Sequence, residues 1–252
     1  MHTAVLFSLL AGVCVAILGQ FIAEPILGLL DIPPEVMPNA ISYLKIYLFG
    51  MPIILLYNFQ AAIFRSVGET QMPLYALLLA SIFNIVLDLL FVCVFKLDVT
   101  GVAIATVLAN AVSALVLLRR LLCREDWIRL DLKKLRIDRA TFAEIIRIGL
   151  PAGIQNAVFS LANVVIQGAI NSLGTMVIAA SSAALILELV AYSIFSSFGQ
   201  ACTTFVGQNY GARQLARCRK ILKAVYLRGR CPDSALYYNC VCFWQGFAGF
   251  NQ

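Results

Sequence analysis

The sequence predicts an all-α protein, a polytopic bundle of transmembrane helices. Of its 252 residues, 61% are hydrophobic and 13% are charged, and the mean hydropathy is +0.88. Apolar runs of about 20 residues, the length that crosses a bilayer as a helix, recur along the chain. They are hydrophobic on all sides, rich in Gly, Ala and Ser, and lack the alternation of an outer-membrane barrel. We therefore expect six helical spans.

The first two predicted spans lie before a polar turn at residues 65–70. Span one covers about Ala4–Ile22 and is expected to end at Glu24-Pro25, because proline breaks the hydrogen bonding of a helix. Span two runs from about Ile41 to Phe64. A kink is expected at Gly50-Met51-Pro52, which membrane helices tolerate when neighbours satisfy the freed backbone groups.

The next two spans form a hairpin. Span three runs from about Pro73 to Phe95 and span four from Gly101 to Leu118, with the tip near Leu97. Span four ends at two arginines, where a long polar segment begins.

That polar segment, residues 119–147, holds nine Lys and Arg and a helix-start signal at Asp138. Span five, Ile148–Ile170, and span six, about Met176–Val206, follow it. The predicted organisation is a partial N-lobe of four spans at 1–118, a cytoplasmic linker at 119–147, a partial C-lobe of two spans at 148–223 and an atypical tail at 224–252.

The basic residues predict the orientation of the chain. Alternating the six spans places 17 of the 19 Lys and Arg on one side, with Lys45 and Lys96 toward the other. By the positive-inside rule that side is cytoplasmic, and so is the N-terminus, in a plasma or inner membrane. The same rule accounts for the net charge of +6 without a nucleic-acid partner. Membrane lipids and small molecules remain as expected partners, and the oligomeric state is not predicted.

The stretch Ser81–Phe91 of span three contains an acid inside the membrane. Asp88 has no lysine or arginine nearby in the sequence, and Asn84 precedes it by one helical turn on the same face. An aspartate at the bilayer centre costs about 2.5–3.5 kcal/mol on insertion scales, so such residues usually face a bundle interior and serve a function. The alternative is a protonated aspartate that only joins two helices through a hydrogen bond.

The hairpin geometry predicts partners for Asp88. Asp88 lies nine residues before Leu97 and Thr106 nine residues after it, so both should lie about 10–13 Å from the tip. Asn110 follows Thr106 by one turn. Oxygen ligands without His or Cys suit a hard cation such as Na⁺, or a proton carried by the carboxylate. We predict no cofactor beyond a coupling ion, H⁺ or Na⁺, and no metal site.

Spans five and six carry further polar residues. Asn156, Asn163 and Gln167 share one face of span five, and Glu188 and Tyr192 share one face of span six. These five residues and Asn110 are candidates for a substrate cavity, in which Glu188 would attract a cationic substrate. Polar contacts between helices, and for Glu188 a side chain reaching toward the membrane surface, are equally open alternatives.

No catalytic pattern accompanies these residues. The sequence has no nucleophile elbow, HExxH pair, Walker A loop or dinucleotide-binding glycines, and His2 is its only histidine. We expect no enzyme.

Five stretches together resemble the multidrug and toxic compound extrusion (MATE) family of secondary transporters, nearest to its DNA-damage-inducible protein F-like branch. They are Phe64–Pro73, Asn84–Asp88, Gly101–Thr106, Gly149–Pro151 and Val206–Ala212. The resemblance implies that the six spans correspond to helices three to eight of a twelve-helix fold, so that the chain is truncated at both ends.

The resemblance also implies a function for the N-lobe. In that branch a cation or proton site uses residues equivalent to Asn84, Asp88 and Thr106, together with an aspartate on a first helix that has no counterpart here. The expected function is cation-coupled antiport that exports small amphipathic or cationic compounds, including drugs. Two alternatives remain: a truncated membrane fragment that does not transport, and a flippase for lipid-linked precursors of the same superfamily.

Overall fold

The structure is a computed structural model that describes residues 1–28, 37–124, 128–171, 173 and 175–228. Every regular element in these ranges is helical, which confirms the all-α prediction. In chain order the elements are α1 (His2–Gly28), α2 (Met37–Phe49), α3 (Met51–Ser66), α4 (Gln71–Leu89) with a π-helical continuation (Leu90–Val94), α5 (Asp98–Leu122), a 3₁₀ turn (Leu132–Lys134), α6 (Arg139–Asn171), α7 (Thr175–Gly211) and α8 (Leu215–Arg228).

The helices match the predicted number of spans. Within the described ranges, five are long and apolar enough to cross a membrane, and a sixth span results if α2 and α3 are counted together. These two helices meet at a bend of 49° beside Gly50, as predicted for the kink near Pro52. A side-chain carbon at Gly50 would lie 2.5 Å from Val107 Cγ2, so α5 packs directly against the bend.

The chain divides into two compact units, Met1–Ile148 and Gly149–Gln252. In the first unit α1 packs on α2 and α3, and α5 packs on α2, α3 and α4. The predicted lobes 1–118 and 148–223 remain a prediction, although the unit boundary lies at the end of the predicted linker. The core of the first unit is a cluster of buried apolar side chains: Val5, Ala61, Phe64, Ala76, Leu117, Leu121 and Leu130.

The prediction that span one ends at Pro25 is wrong, because α1 continues through this proline to Gly28. Contacts with α2 hold the helix here. Lys45 Nζ lies 2.5 Å from Glu24 Oε1, and Gln20 Nε2 donates to the Lys45 carbonyl at 2.9 Å. In a bundle, a proline costs a helical hydrogen bond but need not end the helix when a neighbouring helix holds the turn before it.

Part of the predicted linker packs against the helices of the first unit. The Leu130 N–H donates to the Leu121 carbonyl at 3.0 Å, and the side chains of Ile128 and Leu130 are buried. The helix that carries predicted span five is longer than the span, because α6 begins at Arg139 and passes through Pro151. The start of the span at Ile148 stays a prediction.

The helix-start signal at Asp138 is confirmed. Its Oδ2 accepts hydrogen bonds from the Thr141 N–H at 2.9 Å and the Thr141 hydroxyl at 2.6 Å. These bonds satisfy a backbone donor that the first turn of a helix leaves free.

The second unit contains α6 from Gly149 onward, α7 and α8. None of the described side chains of α6 is buried, whereas α7 and α8 pack through Cys202, Val206 and Cys218. The helix α8 was not predicted as an element, since its sequence was interpreted only as a basic run. The predicted tail 224–252 lies outside the described residues from 229 onward.

Candidate functional site

The helix α4 carries the two residues on which the predicted site depends. Asn84 and Asp88 lie one turn apart and are both half-buried. Asp88 is the second-to-last residue of α4. The helix then widens into the π segment, in which the Phe95 N–H donates to the Leu90 carbonyl at 3.1 Å. Such π segments are rare and occur frequently at functional sites.

A tight turn follows the π segment. Lys96 and Asp98 have φ values of 54° and 45°, in the left-handed region that costs energy for residues other than glycine. A side-chain carbon at Gly101 would lie 2.8 Å from Phe91 Cβ, so the start of α5 lies directly against the π segment. This close contact fixes α5 beside the end of α4.

Two buried polar atoms of α4 lack hydrogen-bond partners. Asn84 Nδ2 and Asp88 Oδ1 are shielded from solvent, and neither has a partner in the described part of the chain. Asp88 also forms no ion pair with a described Lys or Arg. A buried polar group without a partner costs about 1–3 kcal/mol, and more when it is charged. A bound cation or proton would remove this cost for Asp88.

The facing helix α5 contributes oxygen acceptors. The Thr106 hydroxyl donates to the Val102 carbonyl at 2.9 Å, and Asn110 Nδ2 donates to the Thr106 carbonyl at 2.8 Å. The Ser113 hydroxyl donates to the Asn110 carbonyl at 2.8 Å. Because the two hydroxyl protons and an amide proton are used within α5, these side chains have free oxygen lone pairs to offer. Lone pairs favour a cation over an anion.

The structure places α4 against α5 but does not join the predicted partners directly. Asp88 and Thr106 form no hydrogen bond with each other in the described ranges, since the hydroxyl proton of Thr106 is given to Val102. The assignment of Asn84, Asp88 and Thr106 to ion coupling, with Asn110 beside them, stays a prediction.

The predicted cavity residues of the second unit are not enclosed within that unit. Four of them are exposed: Asn156, Asn163, Glu188 and Tyr192. Gln167 is half-buried and interacts with another group. The substrate-cavity role of these five residues therefore also stays a prediction.

A buried polar residue of α3 was not among the predicted site residues. Gln60 on α3 is completely buried, and both atoms of its amide group lack partners within the described ranges. Its signal in the sequence is an amide, two residues after Asn58, in the otherwise apolar second half of span two.

Comparison with known proteins identifies relatives that match most of this chain. The sequence model of the MatE family matches residues 1–90 and 151–227. A probable multidrug resistance protein of Bacillus subtilis, YoeA, is 28% identical over 232 residues, covering 88% of this chain and 49% of the relative. An FAD transporter of Shewanella oneidensis is 27% identical over 232 residues, covering 88% of this chain and 50% of the relative.

A solved structure is similar as well. A MOP superfamily transporter from Pyrococcus furiosus, described as having a binding pocket of reverse polarity that suggests a different function, is 25% identical with a TM-score of 0.80. The similarity covers 88% of this chain and 51% of that one. The chain thus spans about half the length of the curated relatives it matches. Its apolar helices make it a multi-pass membrane protein.

Proposed function

Because the chain belongs to the MatE family, we propose that it forms part of a secondary transporter that exports small organic molecules in exchange for H⁺ or Na⁺. The observation that carries the proposal is the buried, unpartnered Oδ1 of Asp88 on α4. Relatives named as a multidrug resistance protein and an FAD transporter support small-molecule transport. Amphipathic or cationic compounds are the proposed substrates. The assignment to the DNA-damage-inducible protein F-like branch remains a prediction.

In the proposed mechanism the carboxylate of Asp88 binds and releases the coupling ion. It either exchanges a proton for Na⁺ or alternates between an ion-bound form and an ion-free form. The oxygen of Thr106, and that of Asn110 one turn further, would complete the coordination of Na⁺ or hold a water beside the carboxylate. Neutralising the charge removes the penalty of burying it, so the ion shifts the balance between two states of the bundle. By linkage, substrate and ion then change each other's affinity by the same factor.

The proposed orientation places the N-terminus in the cytoplasm of a plasma or inner membrane. The polar segment after α5 and the basic helix α8 would both lie on that side, with the tip between α4 and α5 on the other. The excess of Lys and Arg in the first two of these segments supports the proposal.

Transport is tested with the purified chain in proteoliposomes that contain ethidium, with an imposed H⁺ or Na⁺ gradient. Asp88→Asn should abolish the gradient-dependent part of ethidium movement, because the amide cannot exchange a proton or neutralise a cation. The matched control is Asp98→Asn, which removes the same charge at the exposed tip of the hairpin, where asparagine also tolerates positive φ. Equal gradient-dependent transport by Asp88→Asn and the unmodified chain would rule out the coupling role.

Ion binding is tested separately, since the chain spans about half of its relatives. Na⁺ should raise the thermal unfolding temperature of the chain, and Asp88→Asn should remove that response. A chain that shows the response but moves no ethidium would be the non-transporting fragment. A chain that Na⁺ does not stabilise and whose ethidium movement responds to neither gradient would contradict the proposed site.

A further inference from the structure

A cavity of about 610 Å³ lies at the N-terminal end of α1, far along the chain from the Asp88 site. One wall is the start of α1, with His2 and Thr3, and the other is the segment that leads into α6. Lys133, Lys134 and Arg136 on that segment also line it. All of these residues belong to the first unit.

Hydrogen bonds between the two walls hold the cavity in shape. The buried Thr3 hydroxyl donates to the Arg136 carbonyl at 3.3 Å and accepts from the Asp138 N–H at 3.1 Å. The Asp131 N–H donates to His2 Nε2 at 3.1 Å. Hydrogen bonds to α1 therefore hold the backbone on both sides of Lys133 and Lys134. As a result, the basic side chains extend from a fixed segment of backbone.

The charge balance of the cavity is positive. Lys133 and Arg136 form no ion pair with any described residue, whereas Lys134 lies 3.7 Å from Asp131. Asp138 also lines the cavity, and its negative charge interacts with Arg136, so the lining carries three positive side chains and one negative side chain. The lining therefore keeps a net positive charge from ammonium and guanidinium groups, and phosphate oxygens are suited to both.

We propose that this cavity binds a phosphate group, carried by the headgroup of an anionic phospholipid. The cavity lies where the apolar helices α1 and α6 begin, which is the level of lipid headgroups if both helices span the bilayer. Basic pockets at the cytoplasmic ends of transmembrane helices bind such headgroups, and the proposed orientation places this cavity on the cytoplasmic side. The site goes beyond ion-coupled transport and does not depend on Asp88.

The experiment measures lipid binding to the purified full chain by native mass spectrometry. Phosphatidylglycerol and phosphatidylcholine are titrated onto the chain and onto the double variant Lys133→Gln/Arg136→Gln. The matched control, Arg119→Gln/Arg120→Gln, removes the same charge at the end of α5, outside the cavity lining. We expect phosphatidylglycerol to bind the cavity variant about 30-fold more weakly, and the control nearly as tightly as the unmodified chain.

A second titration separates the two sources of phosphate. Inorganic phosphate is added to the chain in detergent, and the unfolding temperature is followed. Stabilisation by phosphate that the cavity variant loses would support the anion site and assign it to a soluble phosphate. Equal binding of phosphatidylcholine and phosphatidylglycerol, or equal losses in the cavity variant and the control, would overturn the proposal.

Discussion

At the scale of single residues, the sequence identifies Asp88 because an acid without a nearby base is rare in an apolar span. It does not identify the hydrogen bonds around it. The hydroxyl proton of Thr106 goes to its own helix rather than to Asp88, and helical spacing carries no information about that choice. Gln60 was missed for a related reason, since the sequence does not reveal that this amide is buried while that of Asn58, two residues earlier, is exposed.

The unpartnered amide of Gln60 predicts an unusual stabilising substitution. Gln60→Met keeps the shape of the side chain and removes two polar atoms that have no described partner, so we expect the free energy of unfolding to rise by about 1–3 kcal/mol. Unfolding in mild detergent, followed by circular dichroism, measures it. The neighbouring change Phe64→Ala should lower stability by about 3–5 kcal/mol. A clear loss of stability in Gln60→Met would mean that the amide binds a partner.

The cap of α6 predicts a pH-dependent contribution to stability. The hydrogen bonds from Thr141 hold the pKa of the Asp138 carboxyl below its usual value of about 3.8. The charged form therefore stabilises the start of α6 above that pH, and the contribution is lost as the pH falls through the lower, folded-state pKa. Asp138→Ala should accordingly be less stable than the unmodified chain at pH 7.

The stability difference should shrink below pH 3.8, as measured by thermal unfolding across the pH range. Glu144→Ala, which removes an exposed acid of the same helix that caps nothing in the described structure, serves as the control. A difference of the same size at neutral and acidic pH would show that the carboxylate does not act through these bonds.

At the scale of the elements, the helices could be predicted from hydropathy, whereas several of their ends could not. Pro25 suggested a boundary, but it lies inside a helix. Proline acts through one local hydrogen bond, and the contacts that outweigh it, such as those between Glu24 and Lys45, come from another helix. The kink near Pro52 was predicted correctly because Gly50 adds a second, independent break.

The packing of α1 on α3 predicts a steric effect at Gly12. A side-chain carbon at this position would lie 2.4 Å from Pro52 Cα, a backbone atom that cannot rotate away. We expect Gly12→Ala to destabilise the first unit by about 1–3 kcal/mol, measured by thermal unfolding. Gly28→Ala in the same helix has open space around it and should have little effect. Equal stability of both variants would contradict this packing of α1 on α3.

At the scale of the whole molecule, composition was enough to predict the class and the number of spans. It was not enough for the second unit, where four of the five residues predicted to line a cavity are exposed on α6 and α7. A cavity needs walls on every side, and in the described part of the chain this unit supplies α6, α7 and the short α8. The spacing of polar residues predicts a shared face but does not predict what covers it.

The orientation of the whole molecule can be measured at Cys123. This exposed cysteine ends α5 in the polar segment that is proposed to be cytoplasmic. In a variant that keeps only this cysteine, a membrane-impermeant maleimide should label inverted vesicles and leave intact cells unlabelled. A single cysteine placed at Phe95, at the opposite tip, should show the reverse pattern. Labelling of Cys123 in intact cells would invert the proposed topology.

The π segment between Asp88 and the tip of the hairpin amounts to one surplus residue in α4. Each residue of an α-helix turns the chain by about 100°. The surplus residue therefore sets the direction in which the face with Asn84 and Asp88 points relative to the tight turn at Lys96. Removing one residue from the segment would let the α-helix run through unbroken. The carboxylate of Asp88 would then rotate by about a quarter of a turn relative to α5, with every predicted site residue still in the sequence.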